Sequence, residues 1–204
     1  WSTCSTGNML RDESTISPMA LKRAARMNHP FTIESFTLLA NSGRTCMRAS
    51  RLVESVIATV LETTELLLAN PADYHARAEF AWAATLALNG LTYAGTSGFG
   101  YPNHMIEHSL SALFNVPHGA GLSVVMPAWM KWYHRQNPQQ FQRFAQQLFG
   151  VQTAEAGIAA LESWFDTIGT PTRLSQLGIT QADLPAILDN LEGNARWFGL
   201  ADTY

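Results

Sequence analysis

From Arg51 onward, apolar residues recur at three- and four-residue spacing with hardly a pause, and this periodicity constrains the fold more than any other feature. Val53, Val56, Ile57, Val60, Leu61, Thr64, Leu67 and Leu68 mark one face of a long helix. Asn70-Pro71 is expected to stop it and open a second, with Asn as cap and Pro at the first helical position. The second helix carries Ala78, Ala81, Trp82, Thr85, Leu86 and Leu88 and ends at Asn89-Gly90. Its alanines let neighbours approach closely, so it is expected to be central and well buried. A helix over 103–114 is broken by Asn115-Val116-Pro117. The next begins near His118 and holds Leu122, Val125, Met126, Trp129, Met130 and Tyr133, with a kink or join expected at Pro127. Asn137-Pro138 opens a helix to Phe149, and Thr153 caps one that runs to Ile168 and stops at Gly169. Pro171 to Gly178 reads as loop. Thr180-Gln181-Ala182-Asp183 resembles a capping box opening a last full helix to about Leu191, followed by Gly193. The pattern predicts an all-α bundle of about seven helices.

Residues 1–50 lack this periodicity and are expected to form a separate, irregular N-terminal region beside a helical domain over 51–204. Phe31 to Leu39 alternates partly and fits a strand, whereas Arg44 to Ser50 fits neither template. The chain has 204 residues, enough for one domain or one domain with an attached piece. Charged residues make up only 14%, against roughly 25% in an ordinary soluble domain, so extra surface should be buried in a core, a cleft or an oligomer contact. The net charge of −3 argues against a nucleic-acid or anionic-membrane surface. Two cysteines, Cys4 and Cys46, exclude a disulfide framework and a four-cysteine zinc site. With no apolar run long enough for a membrane span and no recognisable signal peptide, a soluble, reducing, cytoplasmic setting is expected.

Three of the six histidines fall close together: His104, His108 and His118. His104 and His108, four apart, share one face of a helix, and His118 opens the next helix. Two imidazoles on one helical face with a third at the start of the next helix suit a transition metal such as zinc or ferrous iron. Histidines at this spacing also occur as ordinary satisfied side chains, so spacing alone leaves both readings open. Gly119 and Gly121 suggest close backbone approach, and Ile106, Leu110 and Leu113 lie on a different face and can anchor the core. The zincin motif is excluded, since Glu107 precedes the second histidine rather than following the first. His75 is expected to be solvated and His134 to be a surface residue at a helix end, while His29 is ambiguous. Tryptophans 82, 129, 132, 164 and 197 fall mostly on helical faces and are expected in the core. No dinucleotide fingerprint, phosphate loop or nucleophile elbow is present.

The segments Ala81 to Gly90, His104 to Leu113 and Val116 to Gly121, taken in order, resemble the dehydroquinate synthase-like helical domain of iron-containing (group III) alcohol dehydrogenases. Within that family they are most similar to the butanol dehydrogenase and NADPH-dependent aldehyde reductase branch. The resemblance covers about 51–204 and implies a divalent metal, iron or zinc, held by one Asp and three His. His104 and His118 match the last two of those histidines. His108 matches a histidine near the nicotinamide that relays a proton. Ser5, Thr6 and Gly7 resemble a Thr-Gly loop at the NADP or NAD cofactor. The metal would then act as a Lewis acid on a small alcohol or aldehyde while the cofactor moves hydride.

The chain also departs from that family. The family's Asp and first His lie four apart on an upstream helix, and no Asp-x-x-x-His occurs here; Ala25 stands four before His29. The resemblance therefore implies a truncated form without the nucleotide-binding domain, with a two-histidine remnant whose shell is completed by water or another chain. His29 is a substitute ligand candidate. The alternative is a non-catalytic helical fragment or pseudoenzyme that self-associates through the face its missing domain would cover, as a homo-oligomer.

Overall fold

A computed structural model describes residues 47–93 and 102–197. Seven α-helices lie among the described residues, with no strand. They are α1 (Met47–Ala69), α2 (Tyr74–Leu88), α3 (Pro102–Phe114), α4 (His118–Tyr133), α5 (Pro138–Phe149), α6 (Ala154–Thr167) and α7 (Leu184–Trp197). The all-α bundle expected from periodicity is what forms. The strand expected over 31–39, the Ser5-Thr6-Gly7 loop and His29 lie outside the described residues. Helix α1 starts at Met47, so part of the stretch that fitted neither template is helical.

Asn70-Pro71 does not open α2. The Asn70 carboxamide oxygen accepts from Ala72 N at 3.2 Å, and the Asn70 carbonyl accepts from Asp73 N at 3.1 Å, which closes a turn. Asp73 is the cap that starts α2, its carboxylate accepting from Ala76 N at 3.0 Å. Nor is α2 central. It buries only Ala76, Ala83 and Ala87, packing two of them on Val56 and Val60 of α1, and leaves Tyr74, Trp82 and Leu88 exposed.

The central helix is α4, which is apolar on nearly every side. One face gives Leu122, Met126, Trp129 and Met130 to a core shared with Val53 and Ile57 of α1, Phe141 and Phe144 of α5, and Ile158, Leu161 and Phe165 of α6. Its other face gives Ala120 and Val125 to a second core with Leu110 of α3 and Ile187 of α7. Burial on both sides outweighs the hydrogen bond lost at Pro127, and the helix runs through that residue without a break. The Ser123 hydroxyl, fully buried, donates to Pro171 O at 2.7 Å and ties α4 to the loop after α6.

The remaining ends follow the expected local chemistry with three differences. Thr153 caps α6 by accepting from Ala156 N at 3.2 Å, and Gly169, at φ 75°, takes the left-handed conformation that ends it. The loop after it contains a short 3₁₀ turn, Leu174–Leu177. The Thr180–Asp183 pair caps another 3₁₀ turn, with α7 beginning at Leu184. Helix α7 passes through Gly193 to Trp197 rather than ending near Leu191. No helix among the described residues is long and apolar enough to cross a membrane.

Candidate metal centre

Helices α3 and α4 are joined by only Asn115, Val116 and Pro117. Asn115 adopts φ 53°, a left-handed conformation that Asn tolerates better than most side chains. The chain therefore turns sharply, and the first turn of α4 faces α3, its apolar anchors being Leu110, Val116 and Ala120. This places His118 opposite the two histidines that α3 carries one turn apart.

The three rings come together. His104 Nδ1 lies 3.0 Å from His118 Nε2, and one nitrogen from each of His104, His108 and His118 lies within 4.8 Å of the others. Ring centroids are 5.0 Å apart for His104–His118, 5.4 Å for His108–His118 and 6.4 Å for His104–His108. His104 is buried, His118 half-buried and His108 exposed, so the cluster runs from the core to the surface. Burial lowers the His104 imidazole from its ordinary value of 6.5 to about 4, with His118 and His108 adding to the effect. Burial also lowers His118. Both rings are thus neutral near pH 7, the form that offers a lone pair to a cation. The donors fit a divalent ion: a 3.0 Å separation lies within the reach of two nitrogens each about 2.0–2.1 Å from one metal.

Spacing assigns Glu107 no role, yet it stands at the centre of this site. Its side chain is fully buried, with Oε2 against His118 Nδ1 and Oε1 accepting from the Ser111 hydroxyl at 2.5 Å. Ser111 Oγ also lies 3.0 Å from Val116 O. Space for the carboxylate exists because Gly121 on α4 has no side chain; a Cβ there would stand 2.6 Å from Glu107 Cγ. The close approach expected of the glycines is thus real at Gly121. A signal for Glu107 was present in the sequence. Asn103, Glu107 and Leu110 fall on one helical stripe, all three buried, and an acidic residue on such a stripe demands a partner.

Other expectations divide. His75 is exposed on the first turn of α2, as expected. His134 sits at the end of α4 but is buried, its Nδ1 donating to Lys131 O at 2.9 Å and its Nε2 3.1 Å from Glu155 of α6. Leu110 anchors the core, whereas Leu113 is largely exposed. Among the described tryptophans only Trp129 is buried, while Trp82, Trp132 and Trp197 are exposed. Helix α4 has apolar residues on several faces, and only some of them meet a neighbour.

The model of the Fe-containing alcohol dehydrogenase family, C-terminal, matches residues 32–194. The chain belongs to this family. It is 32% identical over 152 residues to the probable NADH-dependent butanol dehydrogenase 1 of Bacillus subtilis, a match covering 71% of this chain and 39% of that protein. It is likewise 32% identical over 150 residues to the NADPH-dependent aldehyde reductase YqhD of Escherichia coli, covering 70% and 38%. The crystal structure of the NADH-dependent butanol dehydrogenase A of Thermotoga maritima superposes with a TM-score of 0.76 at 38% identity, covering 80% of this chain and 43% of that one. Such matches span about two-fifths of the relatives' length, and they place the butanol dehydrogenase and aldehyde reductase branch beside this chain.

Proposed function

We propose that this chain carries the metal-binding part of an alcohol dehydrogenase or aldehyde reductase, in which hydride passes between a nicotinamide cofactor, NADP or NAD, and a small alcohol or aldehyde. The observation that supports it most is the convergence of His104, His108 and His118 inside the segment that matches the family. His104 and His118 are assigned to hold iron or zinc, because their nitrogens approach each other most closely and burial keeps both neutral. When bound, the metal would supply Lewis acidity to the substrate oxygen.

The chain's own residues do the rest. The His104 side excludes water, which strengthens every charge interaction at that end of the site. His108, on the exposed side of the cluster and 5.4 Å from His118 between ring centroids, is assigned to proton transfer. In the reductive direction it gives its proton to the carbonyl oxygen as hydride reaches the carbonyl carbon; in the oxidative direction it takes the alcohol proton. Ser5, Thr6 and Gly7 are assigned to the cofactor on the strength of the Thr-Gly pattern.

A turnover assay tests this reading. The purified 204-residue protein, loaded with one equivalent of metal, should consume NADPH or NADH with a short aliphatic aldehyde faster than a metal-free control. No rate above the blank would reject full catalysis by this chain. A second reading, a non-catalytic helical module that self-associates, is favoured by the exposed Leu66, Tyr74, Trp82 and Leu91 around α1 and α2. Absent turnover together with concentration-dependent association in sedimentation would select it, and a strictly monomeric profile would count against it.

A further inference from the structure

We propose that Glu107 is a positioning residue for His118: its buried carboxylate holds the proton of that ring on Nδ1 and turns Nε2 toward the metal-binding cluster. The inference rests on the metal reading above and concerns a residue outside the assigned ligands. A neutral imidazole carries one proton, and the nitrogen that carries it is decided by the partner of each nitrogen. An ionised carboxylate is an acceptor only. Oε2 of Glu107 faces His118 Nδ1, so the proton belongs there and Nε2 is left with its lone pair, 3.0 Å from His104 Nδ1.

The carboxylate itself is fixed on its other side. Ser111, one turn further along α3, donates its hydroxyl to Oε1 at 2.5 Å. Gly121 on the facing helix keeps clear the volume the carboxylate fills. A carboxylate with no exposed surface costs several kcal/mol to desolvate, and an apolar side chain would fill a purely structural position between α3 and α4 without that cost. What the carboxylate adds, and a leucine cannot, is an acceptor for His118 Nδ1. Partners of this kind behind a metal-bound histidine orient the ring and raise its basicity, and their removal weakens metal affinity.

The test uses ¹⁵N-histidine NMR on the metal-free full chain and calorimetric titration with Zn²⁺. In the unaltered protein His118 should show a protonated Nδ1 and a bare Nε2. Glu107→Leu should release that tautomer and weaken Zn²⁺ binding about 10–100-fold. Glu107→Gln, whose amide oxygen still accepts from Nδ1, should keep the tautomer and lose less than about tenfold. Gly121→Ala keeps the acid in the sequence but displaces its carboxylate from His118; it should resemble Glu107→Leu, and it serves if that variant does not fold. A His118 protonated at Nε2 in the unaltered protein, or an unchanged tautomer in Glu107→Leu or Gly121→Ala, would overturn the proposal. The two arms separate the two ideas: absence of Zn²⁺ binding with the expected tautomers defeats the metal reading, whereas tight binding with the wrong tautomer defeats the role of Glu107.

Discussion

Acidification should destabilise the metal-free protein through His104 before any carboxylate contributes. The folded state holds this imidazole at about 4, whereas the unfolded chain restores it to 6.5. Between those two values the unfolded state binds more protons than the folded one, so stability rises with pH through the window and is complete above it. At pH 5 the loss attributable to this one group is about 2 kcal/mol, and it approaches ~3.4 kcal/mol below pH 4. With a urea slope of about 2 kcal/mol per molar, the denaturation midpoint should fall by about 1 M between pH 8 and pH 5. His104→Gln supplies the control, because it removes the titrating ring and keeps a side chain that can hydrogen-bond. Glu155 and Asp183, both lowered by local hydrogen bonds, lose stability only at more acid pH and do so equally in both proteins. The reasoning is refuted if His104→Gln loses as much midpoint over this interval as the unaltered protein.

Three further outcomes are expected. Gly157→Ala places a Cβ about 2.7 Å from the Ala145 Cα of α5. Overpacking of about 1–3 kcal/mol should exceed the helix-propensity gain of about 1, and calorimetry should show Tm lowered by a few degrees. Arg143→Ala removes the guanidinium that grips Glu54 with both carboxylate oxygens engaged, Nη2 at 2.8 Å from Oε2. Because Glu54 is buried and Arg143 only partly so, urea unfolding should report a loss of about 2 kcal/mol, below the ~3–5 of a fully buried pair. His108→Ala should lower turnover by about 10²–10⁴-fold while leaving Zn²⁺ affinity within a few-fold, a split that steady-state kinetics and titration measure together.

Helix existence and order were legible because each helix carries its own apolar period, and local caps such as Thr153 and Gly169 act on neighbours in sequence. What stayed hidden depends on which of several competing local signals prevails or on partners far along the chain. Asn70-Pro71 has the composition of a helix start, but Asp73 competes for the cap and wins by reaching Ala76 N. The alanines of α2 permit close packing, yet only α1 and a short 3₁₀ turn take it up, so the helix lies at the edge of the described bundle. Gly193 carries a stop signal that α7 overrides; Ile187 packs into the second core, and Asn194 bonds to Asn190 at 3.0 Å across it. His134 has the position of a surface residue at a helix end, yet its ring is buried edge-on to Phe141 of α5 and bonded to Lys131 O. At the site, the three histidines could be read from spacing, whereas for Glu107 the stripe it shares with Asn103 and Leu110 shows only that it needs a partner; which partner depends on His118 eleven residues later and on the gap that Gly121 leaves.

The most direct measurement is an anomalous difference map at the zinc or iron absorption edge, from crystals of the full chain grown with one equivalent of that ion. A peak between His104 and His118, on the side open to His108, is the expected result. Density at the ion's edge only elsewhere in the molecule, with those two rings bare, would contradict the metal centre and the oxidoreductase reading built on it.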